Sequence, residues 1–174
     1  MPHCKMLLDR CTFVVQLMKG SQIMDDVRGS NDGLTGYFLE DIFVGQTAVY
    51  AKTVTEADVV LFAGISGDTN PVHLNDEFAS TTQFKGRIAH GILTASFIST
   101  VLGTRLPGPG CIYLSQNLKF KAPVRIGDTV QARVTVTEVV TEKRRVLVKT
   151  VVSVGDTVVI DGDAMLMVPS RALT

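Results

Sequence analysis

The sequence predicts an α+β domain in which a curved antiparallel sheet of about five strands wraps around one long central helix. Two observations carry this. The stretch Ile88–Thr104, IAHGILTASFISTVLGT, is apolar on every side yet shorter than the ~20 residues that cross a bilayer. A helix of that kind buries itself in a protein core. After it the hydrophobic period switches to two, in segments separated by short polar turns, which is the pattern of strands.

The elements follow in order. Residues 1–37 are read as an N-terminal extension and 38–170 as a single domain. The stretch GSQIMDDVRGSNDGLTGY at 20–37 is polar and rich in Gly, Ser, Asn and Asp, so it reads as a lead-in without packed structure, and Met24 within it offers an alternative start. Gly45–Val54 alternates as a strand. Thr55, with Asp58 three residues on, starts a helix in the manner of a capping box, and Val59, Phe62 and Ala63 continue it at helical spacing. The loop SGDTNPVHLND comes next and is expected to be neither a regular helix nor a long strand. DEFASTTQF is a short helix. HGILTASFISTVLG is the apolar helix, with Gly103 as its C-cap. Four strands are expected to finish the chain as a meander: CIYLSQNLKFKAP, a turn at VRIGD, TVQARVTVTEVV, RVLVKTVVSV and, after Gly155–Asp156, TVVIDGDAMLMV. In the second of these, Ala132, Val134 and Val136 share one face. Gln131, Arg133, Thr135 and Thr137 share the other. Turns this short make the sheet antiparallel. Wrapping it around the apolar helix gives the hot-dog arrangement, which leaves a sheet edge and one helix face open to a second copy.

Composition narrows the function. The chain has 174 residues, 45% of them hydrophobic, with Lys+Arg and Asp+Glu equal at 17. That suits a soluble globular domain and gives no footprint for nucleic acid or an anionic membrane. The three cysteines, Cys4, Cys11 and Cys111, are odd in number and not in metal-ligand spacing. They read as free thiols in a reducing, cytoplasmic setting. The segment TFVVQLM near the start is too short for a good secretory signal.

The chemistry points to the loop. Asp68 and His73 flank Asn70 and Pro71, and Pro71 keeps Asn70 out of the helical region. A turn so constrained can aim a carboxylate and an imidazole at one water, one group taking a proton while the other delivers one. The same residues also suit an Asx turn and a helix cap. Gly91 opens the apolar helix, where free N–H groups and the helix dipole favour a developing negative charge such as a thioester enolate. Close packing at a helix end explains Gly91 equally well. Ser96 and Ser99 are expected to bond back to their own helix. Ser99, two turns after Gly91, also has a place near the same face. Lys85, Arg87, Lys119, Lys121, Arg125 and the run Lys143–Arg145 read as solvated faces, with nucleotide phosphate as a weaker alternative.

The stretch FAGISGDTNPVHLNDEFA, followed by FKGRIAHGILTASFISTVLGTRLPGPGCIYLSQNLKFKAPVRIGD, resembles the MaoC-like, (R)-specific enoyl-CoA hydratases from about Phe38 to Pro169. The resemblance implies a hot-dog fold and reversible addition of water to a trans-2-enoyl thioester. It implies Asp68 and His73 as the catalytic pair, with Asn70 and Ser99 supporting them. The Gly91 N–H would hold the thioester oxygen. It implies a homodimer or a multiple of one, and no metal or cofactor beyond the coenzyme A or acyl-carrier protein of the substrate. LGTRLPGPGCIYLSQ also looks like hydratase domains fused to phosphate acyltransferases and like fatty-acid-synthesis dehydratases. The alternative to an enzyme is a non-catalytic hot-dog module that binds or scaffolds acyl thioesters in such a pathway.

Overall fold

The computed structural model describes residues 34–173, so the expectations for Cys4, Cys11, Met24 and most of the N-terminal extension lie outside the described residues. Residues from Gly36 onward form one compact unit. The domain begins slightly before Phe38, because the Gly36 and Tyr37 N–H groups donate to the carbonyls of Pro109 and Pro107 at 3.1 and 2.7 Å.

Five antiparallel strands make one sheet: β1 Thr47–Thr53, β2 Ile112–Phe120, β3 Thr129–Val140, β4 Arg145–Val154 and β5 Thr157–Met167. Their order is β1-β3-β4-β5-β2. Among the described residues the α-helices are α1 Glu56–Ser66, α2 Pro71–Leu74, α3 Asp76–Thr81 and α4 Gly91–Thr104. Alternation works as expected in β3, where Val130, Ala132, Val134 and Val136 are buried and Gln131, Arg133 and Thr137 are exposed. These valines meet Leu93, Phe97, Ile98, Val101 and Leu102 of α4 in a single core. This is the hot-dog arrangement. Among the described residues, no helix is long and apolar enough to cross a membrane.

Three expectations change. First, β2 does not form a hairpin with β3. It lies at the far edge against β5, and only β3, β4 and β5 are a meander. The reason lies in the connection between them. Val54 donates to Asp128 and accepts from Gly127, at 2.9 and 2.8 Å, so VRIGD docks on the end of β1 and delivers β3 beside β1. Second, Gly103 does not cap α4. The helix runs through it to Thr104, and the Arg105 and Leu106 N–H groups share the Val101 carbonyl before Pro107 ends the helix. Third, α4 is not buried all round. Ile92, Ser96, Ser99 and Gly103 form an exposed stripe, spaced as one helix face.

The start of α1 matches its capping box. Thr55 Oγ1 accepts from the Asp58 N–H, and Asp58 accepts from the Thr55 N–H at 2.8 Å. Lys52 of β1 also pairs with Asp58. That pairing, with the Thr55 bonds, holds the Asp58 carboxyl at about 2 instead of 3.8. A depressed carboxyl stabilises the fold above its unfolded value, and the effect fades as pH falls through the folded one. We predict that Asp58→Asn costs on the order of 1 kcal/mol at neutral pH, allowing for solvent screening. Urea unfolding should show the gap to wild type closing as pH drops from about 4 towards 2.

Candidate active site

The site forms where the end of α1, the single turn of α2 and the start of α4 meet. Helix α1 closes on Gly67, whose φ of 76° is the left-handed conformation favoured by glycine, and its N–H donates to Ala63 O at 2.9 Å. The chain then reverses into Asp68. Asn70 caps α2, accepting from the Val72 N–H at 3.1 Å, and Pro71 takes the first helical position. So the segment expected to lack helix contains one turn of it, and that turn carries His73. The Asx reading and the catalytic reading of the loop turn out to be compatible. Asp68 Oδ1 accepts from the Asn70 N–H at 3.2 Å, while Oδ2 stands 4.0 Å from His73 Nε2.

His73 is nearly buried and Asp68 half-exposed, with side-chain exposures of 10% and 51%. The Ile88 carbonyl, 2.9 Å from His73 Nδ1, can only accept. Nδ1 therefore carries the proton, and the Nε2 lone pair faces Asp68. A gap of 4.0 Å is too long for a direct hydrogen bond and is suited to a bridging water.

Two residues that the sequence reading passed over hold this pair in place. Arg87 was expected on a solvated face, yet its side chain is only 12% exposed. Its Nε donates to the His73 carbonyl at 2.7 Å, Nη2 pairs with Glu56 at 2.7 Å, and Nη1 lies 3.6 Å from Asp76. The Glu56 hydrogen bond holds the guanidinium above even its usual pKa. His90, the residue before α4, is 1% exposed. Its Nε2 lies 2.9 Å from the Asp68 carbonyl, and its ring stacks on His73 at 3.9 Å between centroids and 32° between planes. The tripeptide AHG contained this signal, since a histidine in an apolar run beside a helix start needs a partner.

A cavity of about 270 Å³ opens beside His73, lined by His73, Ile88, Gly91, Thr94, Phe120 and Val124 among others. It brings together His73 and the N-terminus of α4, which no side chain caps. Gly91 also has a packing role. A Cβ there would lie 2.8 Å from the Phe120 ring. Ser96 bonds back to Leu93 O at 2.6 Å, as expected. Ser99 is exposed and outside the cavity lining. Eight residues turn an α-helix by two turns and about 80° more, so Ser99 leaves the face of Gly91.

Asp68, His73 and His90 each place one ligand atom within 4.8 Å of the others. The two rings are tilted by 32°, and His73 Nδ1 and His90 Nε2 are taken up by the Ile88 and Asp68 carbonyls.

The MaoC-like domain model matches residues 44–159. The chain belongs to the MaoC-like domain family. It is 61% identical to an (R)-specific enoyl-CoA hydratase of Rhodospirillum rubrum, over 82% of this chain and 99% of that protein. It is 53% identical to a 3-hydroxybutyryl-CoA dehydratase of Methylorubrum extorquens, over 77% of this chain and 85% of that protein. Among solved structures, an unliganded R-hydratase from Pseudomonas aeruginosa superposes with a TM-score of 0.74 at 44% identity. That match covers 78% of this chain and 88% of the other.

The close approach of Phe120 to Gly91 yields a test of the packing. Gly91→Ala should destabilise the protein by on the order of 1 kcal/mol, as the ring is displaced. In a Phe120→Ala background the same change should be neutral or stabilising, because alanine is the better helix former. Thermal unfolding of the four proteins measures the coupling.

Proposed function

We propose that this MaoC-like protein adds water reversibly to trans-2-enoyl-CoA, giving (R)-3-hydroxyacyl-CoA. The observation that carries the reading is the 4.0 Å gap between Asp68 Oδ2 and His73 Nε2, beside a cavity that also takes in the start of α4. In this reading one water sits between the two groups. The thioester oxygen accepts from the Gly91 N–H, where the helix terminus stabilises the enolate that forms as the water oxygen bonds to C3. The Asp68–His73 pair takes one proton from the water and returns one to C2, ending in its starting protonation state. Asn70 supports the pair by capping the turn that carries His73. Ser99 lies on the exposed stripe of α4, outside the cavity lining. The names of the relatives favour coenzyme A as the carrier of the acyl group. The thioester itself supplies the electron sink, so the steps call on no further cofactor.

The protein should act as a homodimer or a multiple of one. Strand β2 is an edge strand that exposes Ile112, Tyr113, Leu114 and Phe120. The open stripe of α4, with Ile92 57% exposed, adds apolar surface. An apolar edge left bare is an association hazard, and a second copy covers it. Sedimentation at micromolar concentration should give a dimer or larger, and a monomer would count against the pairing.

Asp68→Asn and His73→Gln each keep shape while removing the proton-transfer group. Each should lower crotonyl-CoA turnover at least about 10²-fold with the protein still folded. The double variant should lose less than the product of the two, because groups acting as a unit are not additive. Loss of the conjugated enoyl-thioester absorbance measures turnover, and thermal unfolding measures the fold. Wild-type turnover in folded Asp68→Asn would remove the loop from the chemistry. Falling stability with activity per folded molecule preserved would leave the loop a structural turn, with the proton transfer done elsewhere.

A further inference from the structure

We infer that His90 is a positioning residue that couples the acid loop, the imidazole and the oxyanion helix into one unit, an inference that rests on the hydratase reading above. Three contacts lead to it. Its Nε2–H donates to the Asp68 main-chain carbonyl at 2.9 Å, across 22 residues of sequence. Its ring supports the face of His73 at 3.9 Å. Its own carbonyl receives the Thr94 N–H and hydroxyl, at 3.2 and 3.0 Å, in the first turn of α4. Gly91, the next residue, begins the helix whose N-terminus would meet the thioester oxygen.

The other ring nitrogen marks the imidazole as more than packing. His90 Nδ1 is buried with no hydrogen-bond partner among the described residues. Because the Asp68 carbonyl can only accept, the neutral ring carries its proton on Nε2, and Nδ1 keeps a lone pair that no described residue satisfies. An orphaned buried acceptor costs stability, and a phenyl ring of similar shape would avoid that cost. Asp68 depends on the Nε2–H contact. Its Oδ1 is engaged by Asn70, so the position of Oδ2 follows the main chain that His90 pins. His73 depends on the stack, which together with the Ile88 bond limits rotation of its ring. Loss of either contact moves Oδ2 or Nε2 from the shared water, and displacements on the order of 1 Å can cost 10²-fold in rate.

Two substitutions separate the contacts. His90→Phe keeps the ring contacts with His73 and with Phe62, whose centroid lies 5.0 Å away, and removes both the donor and the orphaned nitrogen. His90→Gln keeps a donor near Nε2 and removes the ring. His90→Phe should leave the melting temperature unchanged or raised, with kcat for crotonyl-CoA lowered at least about tenfold and KM within about a factor of two. His90→Gln should retain more kcat than His90→Asn, whose shorter side chain cannot reach Asp68. Nitrogen NMR of the wild type should find the His90 proton on Nε2. Wild-type kcat in folded His90→Phe overturns the inference, as does a kcat loss matched by loss of folded protein. If His90→Phe does not fold, equal kcat in the Gln and Asn variants overturns it, and a clear advantage for Gln supports it. A wild type that leaves crotonyl-CoA unchanged takes down the function and this inference together. Wild-type kcat in His90→Phe takes down only the positioning role.

Discussion

Burial of α4 against the sheet sets the direction of everything in the site. Val130, Ala132, Val134 and Val136 of β3 close on Leu93, Phe97, Ile98 and Val101, so the helix axis is held by the core. With the axis held, the uncapped N-terminus at Gly91 has a fixed aim, and His90 has a fixed place just before it. The loop carrying Asp68 and the turn carrying His73 are then tied to that end of the helix through His90, Ile88 and Arg87. Packing places the N-terminus of α4, and hydrogen bonds bring Asp68 and His73 to it.

The loop shows how one short motif builds a capped turn and still leaves a carboxylate oxygen facing an imidazole. Gly67 turns the chain, Asn70 caps a single helical turn, Pro71 starts it, and one oxygen of Asp68 secures the turn. The second oxygen is left to face His73. The carboxylate is half-exposed, and the nearly buried imidazole lines the cavity.

Local features were legible in the sequence, and relationships between distant segments were not. The two-residue period of β3, the capping box at Thr55 and the turn chemistry around Asn70 depend on neighbours a few residues away, and all three appear as expected. Strand order was misread because Val54 binds Gly127 and Asp128 across a long separation that no period records. Gly103 was misread as a cap because the actual stop, Pro107, lies beyond it. Arg87 and His90 were passed over for a related reason. A cation in a polar stretch and a histidine in an apolar one reveal their roles only when the carbonyls of His73 and Asp68 arrive from elsewhere. Ser99 was expected near the face of Gly91 from its spacing, whereas helical geometry turns it to the exposed stripe.

The central claim is that a single water, held between Asp68 and His73, adds to one face of an enoyl thioester whose oxygen rests at Gly91. Such a site can deliver water from only one side. The most direct measurement is chiral analysis of the 3-hydroxybutyryl-CoA formed from crotonyl-CoA by the wild-type protein. The account predicts the (R) enantiomer alone. A racemic or (S) product, or no product from folded protein, would contradict it.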